Sequence, residues 1–148
     1  MTRKQISLIR SSWKIAGEQP LALGILFFDH LFSVCPQTRA IFRSPASLQT
    51  IRLMQTVGTM INRLDTLDES LFEVTRIAEE YALQGLKAMD YPAVASSLLW
   101  ALEQRLEESW NGELSNAWIS FYGSLSYLVK ESVCRIATLQ PVKFSYAS

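Results

Sequence analysis

Ile77–Pro92, IAEEYALQGLKAMDYP, is the stretch whose reading decides the fold. Ile77 and Tyr81 fall one helical turn apart, and Gly85, four residues further on, suits a left-handed residue closing a helix. Asp90 then precedes Tyr91-Pro92, and proline in a first turn opens a helix rather than breaking one. The stretch therefore predicts two helices meeting at a short corner, with a phenol at residue 81 near the end of the first.

The same reading extends in both directions. Thr2 and Gln5 form a capping box for a helix reaching about Ala16, with Ile6, Ile9 and Trp13 on one face. Pro20 fits the first turn of a helix ending near Val34, in which Leu23, Phe27 and Leu31, or Phe28 and Phe32, lie in rows. Pro36 opens a short helical turn ending near Phe42. After the Arg43–Ala46 connection, Leu48, Ile51, Val57, Met60, Ile61 and Leu64 mark another helix. Thr66 with Glu69 reads as the cap of the helix that Gly85 closes. Downstream, Val94, Leu98, Leu99, Leu102 and Leu106 share the helix entered at Pro92, and Asn111-Gly112 is expected to end it. A last long helix over about Glu113–Leu139 carries Trp118, Tyr122, Leu125, Leu128 and Val133. No strand-like alternation interrupts this all-α pattern, so the expectation is a single domain over residues 1–140 with a C-terminal tail at 141–148.

Composition narrows the function classes. With 148 residues, 49% of them hydrophobic, the chain can bury one sizeable core. Fourteen basic and fourteen acidic side chains cancel, which leaves no net field for nucleic acid or an anionic membrane. The apolar run Leu21–Phe28 is far shorter than the ~20 residues that span a bilayer, and its acidic flanks Glu18 and Asp29 do not resemble a secretory signal. Cys35 and Cys134 show no CxxC spacing and suit a reducing cytoplasm, or are simply small buried hydrophobes. A cytoplasmic protein is expected.

Helical packing alone permits several bundles; colinear motifs select among them. IAEEYALQG, DYPAVASSLLWAL and AWISFYG follow one another, and FFDHLFSVCPQTRAIF precedes them. From about Gln5 to Val133 the chain resembles the globin superfamily, in particular the globin domain of flavohaemoglobins and single-domain bacterial haemoglobins, with Tyr81 in place of the proximal histidine. The resemblance implies a globin fold, a 3-over-3 helical sandwich of about seven helices, with haem as cofactor.

Carried over by position, the resemblance implies a haem pocket as follows. Phe42 is the ring that stacks on haem, Phe28 stands where a tyrosine would hydrogen-bond bound oxygen, and Gln49 and Leu53 are distal contacts. Ile77, Leu86, Tyr91, Val94 and Leu98 line the proximal and inner walls, Arg52 and Lys87 reach carboxylates at the mouth, and Tyr81 is the metal ligand. Each has a plainer alternative: aromatic and leucine residues at helical spacing are core, Gln49, Arg52 and Lys87 are solvated positions, and Tyr81 buries its ring and bonds its hydroxyl. His30 is the sole histidine, but lying two residues past Phe28 it is turned by about 200° from that ring's face and is expected to make a helix contact.

A tyrosinate ligand is a hard anionic donor favouring ferric iron, which suits haem, redox or ligand sensing better than oxygen storage. The resemblance does not extend to nitric oxide chemistry. No reductase domain is expected, and Val133 stands where the resemblance implies a glutamate that would pair with Tyr91, Glu131 being expected on a different face. No Ser-His-Asp or Cys-His set and no phosphate loop is found, so no enzyme is expected. The competing expectation is a haemless globin-fold sensor or interaction module whose pocket is repacked or holds another apolar ligand, acting through a homodimer or a signalling partner protein.

Overall fold

Thr2 begins the first helix by the expected capping box: its side chain accepts from Gln5 N–H while the Gln5 side chain returns to the Thr2 backbone. That helix, α1 (Arg3–Ala16), is followed by α2 (Pro20–Val34), with Pro20 in its first turn. The computed structural model describes residues 1–42 and 47–139, apart from the side chains of 68, 70, 71, 129 and 131–139. The remaining α-helices among the described residues are α3 (Leu48–Asn62), α4 (Leu71–Leu83), α5 (Tyr91–Leu106) and α6 (Gly112–Leu139). The Arg43–Ala46 connection and the tail at 141–148 lie outside the described residues, as do the side chains of Glu131, Val133 and Cys134.

The turn opened by Pro36 is the expected short helix, a 3-10 turn over Pro36–Ala40, and it stands with six α-helices among the described residues. Two local expectations are corrected. Thr66 does not cap α4: it sits at φ −130°, ψ 43° inside a 3-10 segment, Leu64–Ser70, and α4 starts only at Leu71. Asn111-Gly112 does not end α5. That helix stops at Leu106, where Glu107 adopts φ 48° and the chain turns through Glu107–Ser109. Asn111 instead starts α6, its Oδ1 accepting from Leu114 N–H at 2.9 Å, because an Asn side chain satisfies an orphan N–H at a helix beginning as well as it breaks an end.

The helices stack in two layers. α1 and α3 pack together and share one layer with α4; α2, α5 and α6 form the other. The layers join where α3 crosses α2, where α1 meets α5 and α6, and where α4 lies on α6. This is the expected 3-over-3 sandwich. Its core holds Ile9, Leu23, Leu31, Ile61, Leu102, Trp118 and Phe121, all buried, and Trp118 donates its indole N–H to Ser12 Oγ at 3.0 Å, which satisfies the one polar atom of that ring. At the α2–α3 crossing a Cβ on Gly24 would collide with the Thr50 methyl, so the backbones approach where only glycine fits.

The corner after α4 closes as its sequence predicts. Leu86 N–H reaches Tyr81 C=O at 2.9 Å, Gly85 N–H reaches Ala82 C=O at 3.0 Å, and Gly85 has φ 110°. This is a Schellman ending, which fixes the last turn of α4 and with it the direction of Tyr81.

Candidate functional site

Between α3 and α4 lies a partly open crevice of about 260 Å³, lined by Gln49, Arg52, Leu53 and Thr56 from α3 and by Ile77, Glu80, Tyr81 and Gln84 from α4. Helical spacing brings these residues together: 49, 52, 53 and 56 form one stripe, and 77, 80, 81 and 84 another. Gln49, Arg52, Leu53, Ile77 and Tyr81 were expected from the sequence. Thr56, Glu80 and Gln84 were not, although their i+3 and i+4 spacing from Arg52, Ile77 and Tyr81 was available as a signal.

Behind the crevice stands a line of aromatic rings. Phe28, 2% exposed, stacks on Phe32 at 5.7 Å between centroids and meets Phe42 at 4.9 Å; Phe42, 5% exposed, meets Tyr81 at 5.2 Å. Such separations lie within the ~4.5–7 Å of rings in direct contact, so nothing stands between Phe42 and Tyr81. Arg39 lies over Phe32 at 4.7 Å and closes the outer end of the line.

Tyr81 is partly buried, and its hydroxyl has no hydrogen-bond partner among the described residues. Burial pushes the phenol above its ordinary value, and the neighbouring Glu80 carboxylate adds to the rise. Arg52, exposed, makes no ion pair among the described residues.

The other expected wall positions are placed elsewhere. Leu86, Val94 and Leu98 pack partly buried against the core and do not line this crevice. Tyr91 is half-buried as the first residue of α5, and the Lys87 side chain is exposed, so its contribution to the corner is its backbone N–H, which donates to Asp90 Oδ2 at 2.9 Å. Lys87 is therefore no part of this crevice's mouth.

His30 makes the helix contact expected of it. Its Nδ1 lies 2.9 Å from the buried Ser97 Oγ, and its ring stacks on Trp100 at 4.8 Å, so it joins α2 to α5. Among the described residues no group of three or more His, Cys, Asp or Glu side chains is placed to hold a metal ion, and no helix is long and apolar enough to cross a membrane.

The two-layer arrangement of the six α-helices among the described residues, with a crevice between α3 and α4, is one that known proteins share. It overlays an engineered carbene transferase from Rhodothermus marinus with a TM-score of 0.79 at 22% identity, covering 94% of this chain and 98% of that one. The fold is that of the globins. A hexacoordinated haem protein from an anhydrobiotic tardigrade shares it, with a TM-score of 0.76 at 14% identity over 89% of this chain and 94% of that one. In sequence, the globin likeness runs to Neuroglobin-2 of Oncorhynchus mykiss and Neuroglobin of Danio rerio, each 24% identical over 136 aligned residues that cover 82% of this chain and 86% of the relative. No family model matches the chain.

Proposed function

We propose that this chain is a haem-binding globin relative in which residues of the crevice between α3 and α4 would hold the group and Tyr81 would ligate its iron, acting in haem, redox or ligand sensing. The convergence of Gln49, Arg52, Leu53, Ile77 and Tyr81 on one crevice carries this reading. The similarity to proteins named as neuroglobins and as a haem protein supports haem in particular.

The residues present fit the group in chemistry. Tyr81 offers a hard oxygen donor, Arg52 a guanidinium able to hold a carboxylate in two parallel hydrogen bonds, Leu53 and Ile77 apolar walls, and Gln49 an amide on the side facing Tyr81. Haem bound to a phenolate supplies a centre that favours the ferric state. Loss of the proton is left to the metal's charge, since burial and Glu80 both oppose phenolate formation. In dimensions, the crevice lies just under the ~300–1,000 Å³ of small-molecule sites, and Phe42 touches Tyr81. Phe28 supplies no hydrogen-bond donor on the distal side, which removes one contact that would stabilise bound oxygen, and storage is not proposed. No catalytic role is proposed.

The contact between Phe42 and Tyr81 favours a second reading: a haemless globin fold whose pocket is closed by these two rings and whose function lies on an outer face, toward a second copy or a signalling partner. Titration of the purified protein with hemin separates the two. The haem reading expects a ferric Soret band that moves on Tyr81→Phe. A chain with no Soret band, in the wild type or in Phe42→Ala, which makes room, leaves the second reading.

A further inference from the structure

Asp90 lies outside the crevice, yet it joins the two segments that carry Phe42 and Tyr81. It is 4% exposed; its Oδ2 accepts from Lys87 N–H at 2.9 Å, and its Oδ1 accepts from Gln37 Nε2 at 3.3 Å and from Cys35 Sγ at 3.6 Å. One oxygen thus faces the corner after α4, and the other faces the turn after α2.

Each side continues rigidly to a ring. From Cys35 the 3-10 turn is held by Thr38, whose hydroxyl donates to Cys35 C=O at 2.6 Å and whose own C=O accepts from Ile41 N–H at 2.9 Å and Phe42 N–H at 3.1 Å. From Lys87 the path runs through Leu86 to the Tyr81 C=O in the Schellman ending. Midway, the two segments approach again, where a Cβ on Gly85 would lie 4.0 Å from Ile41 Cγ1. The loop closes at the contact between the Phe42 and Tyr81 rings, 5.2 Å apart.

We infer that Asp90 is a positioning residue for the crevice: by tying the turn after α2 to the corner after α4, its carboxylate sets the separation of Phe42 and Tyr81 and so the width available to a ligand. This builds on the haem reading only in one of its two readouts. Asp90→Asn is nearly isosteric, but it replaces one acceptor oxygen by an amide, so either Lys87 N–H or the Gln37 and Cys35 donors face another donor.

The test uses the full chain. Nuclear Overhauser contacts between the Phe42 and Tyr81 rings, assigned with Tyr81→Phe and Phe42→Leu, are compared in wild type and Asp90→Asn, with the His30 ring resonances as an internal control on the α2–α5 side. The inference expects the ring contacts to be lost or shifted while the His30 resonances stay, and hemin affinity to change by about tenfold or more, as when a residue that orients a ligand is removed. Unchanged ring contacts would overturn it, and so would His30 resonances that move as far as those of Tyr81, since the effect would then be general loosening. If Asp90→Asn does not fold, the double variant Gln37→Ala with Cys35→Ala removes two donors and keeps the carboxylate; it is expected to shift the ring contacts in the same way, and unchanged contacts there overturn the inference equally. A chain that takes up no hemin, both as wild type and as Phe42→Ala, removes the haem reading and leaves the ring contacts to decide on Asp90.

Discussion

The α2–α5 seam and the α3–α4 crevice are each made by two helices, and each holds an aromatic ring beside polar side chains. In the seam the polar atoms are matched. His30 meets Ser97, and its ring covers Trp100, so the sole imidazole of the chain is held in packing. In the crevice Gln49, Arg52, Glu80, Tyr81 and Gln84 surround open space, and the side chain best able to ligate iron is a phenol. The comparison shows that residue type alone does not make a ligand site: closure around a polar group assigns it to structure, and an unfilled gap leaves it available.

The same truncation in the two regions should break this comparison if it is wrong. Leu102→Ala, at a side chain with no exposed surface, is expected to cost about 2–5 kcal/mol in urea unfolding, because the surrounding core cannot collapse into the hole. Leu53→Ala, on the wall of an existing cavity, is expected to cost less than about 1.5 kcal/mol, since little new void is created. Equal costs would mean that the crevice is as tightly packed as the core.

Acid sharpens it next. The Lys87 backbone N–H, with help from Gln37 and Cys35, holds the Asp90 carboxyl below its ordinary value of 3.8 even though burial pushes the other way. The folded chain therefore binds this proton less readily than the unfolded chain. The stability Asp90 contributes is complete above 3.8 and drains as pH falls through the lower folded value. Asp90→Asn should flatten that acid limb when the urea midpoint is followed against pH, with the loss felt at the corner and not at the seam.

The smallest effects concern single hydroxyls. Ser97→Ala removes a buried partner of His30 and is expected to cost about 1 kcal/mol. Tyr81→Phe is expected to change thermal stability by less than about 0.5 kcal/mol, because the phenol has no partner among the described residues. A larger loss for Tyr81→Phe would assign its hydroxyl to structure after all.

Much of the fold was legible because it depends on local signals: the Thr2 capping box, Pro20 and Pro92 in first turns, and Gly85 with its positive φ all act over a few residues. Signals that serve two purposes misled. Asn111 both breaks and starts helices, and Thr66 with Glu69 has the spacing of a cap while the chain takes a 3-10 path there. In the site, all of the expected positions came from the resemblance: Gln49, Arg52, Leu53, Ile77 and Tyr81 line the α3–α4 crevice, whereas Leu86, Lys87, Val94 and Leu98 do not. The Asp90 junction was not legible, because Cys35 and Asp90 are 55 residues apart and nothing local in either marks a partner. The approach of Phe42 to Tyr81 is of the kind that the haemless alternative, with its repacked pocket, expected.

Codons for tyrosine and histidine differ only in their first base, so residue 81 stands one nucleotide substitution from an imidazole. The Schellman ending that aims this position uses backbone groups and Gly85, and none of it depends on the phenol. A histidine there would inherit the same direction with a shorter reach, and its ring would draw back from Phe42. In mutational distance, the closed aromatic pair and an open, nitrogen-bearing cleft are nearest neighbours.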